Sequence, residues 1–115
     1  MLPGDLDHVF FAESGSVSVE IAMKMAIQYW INRGVSGRSK FVSFLGGYHG
    51  DTLATMTICD PEEGMHSLFA GVMPSQHVVA LPRDADSEAA LDALLADKGH
   101  EIAALIVEPR IQGAG

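Results

Sequence analysis

The sequence is poor in cysteine, in basic residues and in long apolar runs. A single cysteine, Cys59, excludes an internal disulfide framework and is typical of a reducing compartment. The 7 Lys and Arg residues are outnumbered by 15 Asp and Glu residues, which gives a net charge of −8 and argues against a nucleic-acid surface. No apolar stretch approaches the ~20 residues of a membrane span, and the N-terminus lacks the pattern of a secretory signal. We therefore expect a cytoplasmic protein that binds neither nucleic acid nor membrane.

The motifs of several common active sites are also missing. The 5 histidines are scattered and form no zinc-ligand pair such as H-E-x-x-H, so we predict no metal site. The sequence has no G-x-x-x-x-G-K-[ST] phosphate loop and no G-x-G-x-x-G motif. The turn Glu13-Ser14-Gly15-Ser16 does not satisfy the G-x-S-x-G nucleophile elbow. With 48% hydrophobic and 19% charged residues, the composition is that of a folded globular protein.

Apolar periodicity predicts strands that alternate with helices. Short apolar runs predict buried strands at residues 9–12, 40–45, 78–81 and 102–107. Spacings of three and four predict a long helix over residues 16–33, with Ser14 or Ser16 as its N-cap and Gly34 as its left-handed end. Shorter helices are predicted at residues 52–58 and at 87–97, the latter capped by Ser87. The alternation predicts an α/β fold with a mainly parallel sheet and no internal domain boundary.

The turn at Gly15 and Ser16 is a candidate phosphate site. It lies between a predicted strand and a predicted long helix. The first N–H groups of a helix have no partner within the helix, and the helix dipole favours an anion there. An ordinary helix start would have the same residues, and the sequence alone leaves both interpretations open.

Tyr48 and Glu108 are candidates because each follows a predicted strand. Tyr48 stands in Gly46-Gly47-Tyr48-His49-Gly50, where a flat ring beside a phosphate suggests a ligand with both a phosphate and a planar ring. Glu108 ends an apolar strand, at the edge where α/β proteins bind ligands. The alternatives are a half-buried aromatic at a sheet edge and a surface glutamate at a strand exit.

Several segments together resemble the class III, fold-type I pyridoxal-phosphate aminotransferases. The resemblance is carried by His8-Val9-Phe10-Phe11, Ser14-Gly15-Ser16-Val17, Glu20, Lys24-Met25-Ala26, Gln28-Tyr29-Trp30, Gly47-Tyr48-His49-Gly50-Asp51-Thr52, Cys59-Asp60-Pro61, Met65-His66-Ser67-Leu68, Val107-Glu108-Pro109 and Gln112-Gly113-Ala114-Gly115. It is weakest between residues 72 and 100. The fold it implies is a partial three-layer sandwich from the large, cofactor-binding domain.

The resemblance also implies roles for particular residues around pyridoxal 5'-phosphate. It places the phosphate on Gly15 and Ser16, the ring against Tyr48, and Glu108 at the floor of the site. Asp51 is implied to lie near the substrate, and the alternative is a helix N-cap for the segment that follows it. His49 is implied to pack or to orient its loop, since in this family a lysine serves as the base.

Two further residues belong to the loop after the last predicted strand. Gln112 lies in the same loop as Glu108. Arg110 stands where many relatives carry an aliphatic residue, so it departs from the family pattern.

The Cys-Asp-Pro and Met-His-Ser-Leu segments are similar to the branch of the family that acts in biotin synthesis. That likeness implies transfer of an amino group from S-adenosylmethionine to 8-amino-7-oxononanoate, which gives 7,8-diaminononanoate. The alternatives are another class III transaminase that acts on an ω-amino acid, and a truncated remnant without catalytic activity.

No lysine of this sequence matches the family's Schiff-base lysine. Lys24 lies within a predicted helix, Lys40 opens a strand and Lys98 follows a helix. We therefore expect residues 1–115 to be an incomplete segment of the large domain, inactive alone, from an enzyme that forms homodimers. We also expect the segment alone to expose apolar surface.

Overall fold

The computed structural model describes residues 4–61 and 65–110. Helices and strands alternate in the order α1 (Gly15–Asn32), β1 (Lys40–Phe44), α2 (Leu53–Met56), a 3-10 turn (Met65–Phe69), β2 (His77–Val79), α3 (Ala85–Lys98) and β3 (Ile102–Leu105). The predicted α/β fold is confirmed, and most elements begin and end within a few residues of their predicted limits. Within the described ranges, no helix is both long enough and apolar enough to cross a membrane.

The three strands form one parallel sheet with β1 at its centre, in the order β2-β1-β3. Phe44 lies opposite Val79 on one side, and Phe41 lies opposite Ala104 on the other. The chain passes from β1 to β2 through α2, and then back across β1 to β3 through α3. Because parallel crossovers are right-handed, this reversal assigns α2 and α3 to opposite faces, as a three-layer arrangement requires.

Helix α1 packs on the sheet and fixes the direction of its own N-terminus. Met23 of α1 joins Phe41, Ile58 and Ala103 in the buried core. The indole Nε1 of Trp30 donates to the carbonyl of Ala103 at 2.7 Å, which ties the last turns of the helix to β3. Burial of these side chains anchors the whole helix, and so its first turn is held in a fixed place at the sheet edge.

The ends of α1 follow the sequence prediction. The Ser14 hydroxyl accepts from the backbone N–H of Val17 at 3.2 Å, so Ser14 and not Ser16 is the N-cap. Gly34 follows the helix with a φ of +75°, the left-handed conformation that a glycine adopts at little cost.

The prediction of a strand at residues 9–12 was wrong. The structure shows no strand there, and Phe10 and Phe11 are 70% and 89% exposed. A strand exists only when its backbone pairs with another, and none of the three described strands pairs with this segment. The apolar composition of this segment is typical of a strand, but the segment has no neighbouring strand among the three described strands.

The predicted cap of α3 was also misplaced. Asp84 is the N-cap, and its carboxylate accepts from the backbone N–H of Ser87 at 2.8 Å. The Ser87 hydroxyl accepts in return from the backbone N–H of Asp84 at 3.1 Å. Ser87 thus occupies the third helical position of a capping box, and the helix begins two residues earlier than predicted.

Candidate functional site

The structure brings the first turn of α1 against the loop that follows β1. We call residues 46–51 the glycine loop. The backbone N–H of Asp51 donates to the Ser16 hydroxyl at 3.1 Å, across a separation of 35 residues. A Cβ on Gly50 would lie 2.4 Å from the Ser16 Oγ and 2.8 Å from the Ser16 Cα. The two motifs that the sequence analysis singled out are therefore parts of one site.

The space beside Gly15 is open, and among the described residues the first N–H groups of α1 have no acceptor there. Gly15 does not have a positive φ, and a Cβ built on it meets no atom within 4 Å, so nothing in the described chain requires a glycine there. The N–H groups of Val17 and Ser18 donate to Ser14. Within residues 4–61 and 65–110, no acceptor is found for the N–H groups of Gly15 and Ser16. An anion on the open side of this turn would satisfy both.

Tyr48 is held at its backbone and at its hydroxyl. The backbone N–H donates to Glu108 Oε2 at 3.1 Å, and the phenol donates to Asp51 Oδ2 at 2.6 Å. The hydrogen bond to Asp51 raises the pKa of the Tyr48 phenol, so the hydroxyl remains a donor at neutral pH. The structure thus brings the predicted residues Tyr48, Asp51 and Glu108 together, and Tyr48 is half-buried.

Glu108 reaches the glycine loop because β1 and β3 end at the same edge of the sheet. The glycine loop follows β1, and Glu108 lies three residues beyond β3. The backbone N–H of Ile106 still donates to the carbonyl of Val42 at 2.8 Å, so the chain after β3 stays beside β1. The carboxyl edge of a parallel sheet is where α/β proteins assemble ligand sites. Arg110 is exposed, and Gln112 lies outside the described residues.

The His49 side chain packs within the loop. It is half-buried, and a Cβ on Gly47 would lie 3.1 Å from its Nε2. Burial lowers the pKa of His49 from its ordinary value of 6.5, against the smaller opposite effect of Glu108. The imidazole is therefore neutral at physiological pH, as a packed ring should be.

Glu20 contributes to the site in a way that the sequence did not reveal. Its Oε1 accepts from the Thr52 hydroxyl at 2.6 Å and from the backbone N–H of Ala54 at 3.0 Å. Thr52 is the N-cap of α2 but makes no side-chain cap bond of its own. Glu20 therefore caps α2 from another helix. From the sequence, Glu20 has no role beyond its place among the residues that carry the family resemblance.

Cys59 and Asp60 are two further residues to which sequence reasoning gave no role. Cys59 is buried, and its Sγ accepts from the backbone N–H of His49 at 3.2 Å. Asp60 Oδ2 accepts from the backbone N–H of Gly46 at 2.8 Å. Both residues therefore fix the glycine loop through hydrogen bonds to its backbone. The Cys-Asp-Pro segment carried the family resemblance, and that likeness was the available signal.

A pocket of about 420 Å³ lies beside α2 and is not lined by the turn at Gly15 and Ser16. Its apolar lining includes Leu53, Met56, Phe69, Met73 and Val78. None of the predicted cofactor- or substrate-binding residues lines it. The polar groups that meet around the glycine loop, rather than this pocket, therefore define the candidate site.

Comparisons with known proteins identify the family of the chain. The family "Aminotransferase class-III" matches residues 1–115. The chain is similar to proteins named adenosylmethionine-8-amino-7-oxononanoate aminotransferase from Mycobacterium leprae, at 48% identity over 98% of the chain, and from Corynebacterium glutamicum, at 45% over 95%. It spans about a quarter of those relatives, 27% of each.

Solved structures give the same family. The enzyme of that name from Methanocaldococcus jannaschii superposes with a TM-score of 0.72 at 33% identity, covering 82% of this chain and 21% of that one. An amine transaminase from an uncultivated Pseudomonas species, in a form with pyridoxal phosphate bound, superposes with a TM-score of 0.74 at 32% identity, covering 85% and 25%. The match over the whole sequence and these structural likenesses lead to one conclusion: the chain belongs to the class III aminotransferase family.

Proposed function

We propose that this chain is the phosphate- and ring-binding segment of a larger pyridoxal-phosphate aminotransferase. The complete protein would transfer the amino group of S-adenosylmethionine to 8-amino-7-oxononanoate and yield 7,8-diaminononanoate for biotin synthesis. The observation that carries the proposal is the contact between the Gly15–Ser16 turn and the glycine loop. The names of the relatives from M. leprae and C. glutamicum supply the substrates.

In this proposal each residue has a definite task. Gly15 lets the phosphate approach the backbone, because a side chain there would occupy that space. The Ser16 hydroxyl accepts from Asp51 and keeps its own proton for a phosphate oxygen. Tyr48 covers one face of the ring, and Glu108 fixes the backbone from which that ring projects.

The substrate side of the proposed site is the carboxylate of Asp51. The Tyr48 phenol donates to it, so the carboxylate is held beside the ring. A negative charge at this place suits the cationic amino groups that both proposed substrates carry. Pyridoxal phosphate, when bound, supplies the electron sink that amino transfer needs.

The remaining parts of the proposal concern the complete protein. No lysine of this chain matches the family's Schiff-base lysine, so we propose that it belongs to another part of that protein. Large apolar side chains lie exposed here, among them Phe11 at 89% and Leu68 at 78%. Burying them against further chain or a second subunit would be favourable. On the family resemblance we also propose a cytoplasmic homodimer.

The phosphate assignment is tested by Gly15→Val in the complete protein. The added Cβ meets no atom of the described chain within 4 Å, so stability should change little. Cofactor affinity, measured by fluorescence titration of the apoprotein, should fall about tenfold or more because contact with the phosphate is lost. The control is Ala22→Val, which also places a valine at an exposed position of α1 and should leave affinity unchanged. Equal affinities for the two variants would contradict the assignment.

Substrate identity requires a separate assay. The complete protein should produce 7,8-diaminononanoate from S-adenosylmethionine and 8-amino-7-oxononanoate, detected by mass spectrometry. The rival is an ω-amino-acid transaminase, since solved ω-transaminases such as that of Thermomicrobium roseum also superpose, with a TM-score of 0.77 at 27% identity. Amino transfer from an ω-amino acid to pyruvate, without diaminononanoate formation, would favour the rival.

A further inference from the structure

We infer that Cys59 and Asp60 act together as a clamp that positions the glycine loop, and that this clamp sets how well the loop receives the cofactor ring. The inference rests on the proposed function for its cofactor, but the clamp is defined by contacts within the chain. Cys59 and Asp60 are positioning residues in this account, since they act through Tyr48 and its neighbours.

Asp60 holds the beginning of the loop by two hydrogen bonds. Its Oδ2 accepts from the backbone N–H of Gly46 at 2.8 Å, and its own backbone N–H donates to the carbonyl of Gly47 at 3.3 Å. The first bond is charge-assisted, which makes it stronger than one between neutral groups. Gly46 has a φ of +78°, so the chain turns sharply at the residue that donates to Asp60.

Cys59 holds the end of the loop through its thiol. Its Sγ accepts from the backbone N–H of His49 at 3.2 Å. The thiol proton has two acceptors within reach, the carbonyl of Thr55 at 3.2 Å and the carbonyl of Gly50 in the loop at 3.7 Å. The side chain is only 2% exposed. Burial raises the pKa of the Cys59 thiol, which keeps it protonated and able to donate.

Tyr48 lies between these two points of attachment. The loop belongs to neither a helix nor a strand, so regular secondary structure does not fix it. Four of its N–H groups instead donate to residues outside the loop: Gly46 to Asp60, Tyr48 to Glu108, His49 to Cys59 and Asp51 to Ser16. When the backbone that carries Tyr48 is already ordered before the ligand binds, less conformational freedom is lost on binding, and affinity improves.

The experiment compares Cys59→Ala, Cys59→Ser and Asp60→Asn in the complete protein. Backbone amide exchange across residues 46–51 is followed by mass spectrometry without added cofactor, and pyridoxal-phosphate affinity is measured by titration. Cys59→Ala should raise loop exchange and weaken cofactor binding, each by about fivefold, because its thiol bonds are lost. Cys59→Ser keeps a donor and an acceptor and should restore most of both. Asp60→Asn should show a smaller change in the same direction, because the charge is lost.

The control is Trp30→Phe, which removes the bond to Ala103 far along α1 and touches no residue of the loop. Trp30→Phe should lower overall stability without changing loop exchange or cofactor affinity. Loop exchange within twofold of wild type in both Cys59→Ala and Asp60→Asn would overturn the clamp, and so would raised exchange in Cys59→Ala that Cys59→Ser does not reduce. Equal weakening by Trp30→Phe would also overturn it, by showing that overall stability alone matters. Should Cys59→Ala fail to fold, Asp60→Asn decides, with raised exchange supporting the clamp and unchanged exchange refuting it. Absence of cofactor binding by the wild type would sink the proposed function, while amide exchange would still decide the clamp.

Discussion

Replacing Gly50 by alanine is the sharpest test of the site's architecture. Gly50 has a φ of +133°, which residues with a side chain rarely adopt. That conformation costs roughly 1–3 kcal/mol in another residue. The new Cβ would also stand 2.4 Å from the Ser16 Oγ and 2.8 Å from the Ser16 Cα. The second contact is with helix backbone, which cannot move aside, and overpacking of this kind costs roughly 1–3 kcal/mol more.

The expected loss in the free energy of unfolding is therefore about 2–6 kcal/mol, measured by chemical denaturation of the complete protein. Gly37→Ala is the matched control, because Gly37 has a φ of +85° and open space around its Cα, so it pays only for strain. Cofactor affinity should fall in Gly50→Ala and stay unchanged in Gly37→Ala, since only the first separates α1 from the glycine loop. Equal losses of stability and affinity in the two variants would refute the close contact between Gly50 and Ser16.

Four further outcomes are expected. Glu20→Ala should lower the free energy of unfolding by about 1–2 kcal/mol, because α2 loses its cap, and Glu20→Gln should lower it less. Equal losses for the two variants in chemical denaturation would contradict the capping role. Because burial lowers the pKa of His49, folding favours the neutral ring, and stability should be lost as pH falls below about 6.5; His49→Gln should show a shallower decline, and an NMR titration that places the pKa above 6.5 would contradict this. Cys59, buried and protonated, should resist iodoacetamide in the folded protein at pH 7 and react after unfolding, as read by mass spectrometry. Tyr48→Ala should weaken cofactor binding by about 1 kcal/mol, while Tyr48→Phe, which keeps the ring, should leave it nearly unchanged; equal losses would indicate that the hydroxyl rather than the ring is responsible.

The parts of the fold that were predictable are those set by local chemistry. Spacing of apolar residues gave α1, and Ser14 and Gly34 marked its ends, because capping and left-handed turns depend on neighbours in sequence. The central strand was equally clear, since residues 41–44 are apolar or small and all are buried. The strand predicted at residues 9–12 failed because strand formation depends on a partner that local sequence does not reveal.

The candidate site divides in the same way. Residue types and spacing, with the family resemblance, pointed to Gly15, Ser16, Tyr48, Asp51 and Glu108, and the structure brings all five to one edge of the sheet. The roles of these residues toward the cofactor and the substrate remain predictions. The comparisons establish the family, and they rest on the same segments that carried the resemblance.

Sequence by itself determined the alternation of helices and strands, the acidic and cysteine-poor composition, and the family, because these depend on residue identity and on spacings of a few positions. Only the tertiary structure decided which groups meet. It made Glu20 a cap of α2, and it placed Cys59 and Asp60 against the backbone of the glycine loop. Contacts of this kind join residues 10 to 60 positions apart. They form because α1 packs on the sheet and because β1 and β3 end at one edge, and no local pattern of residue types records either fact.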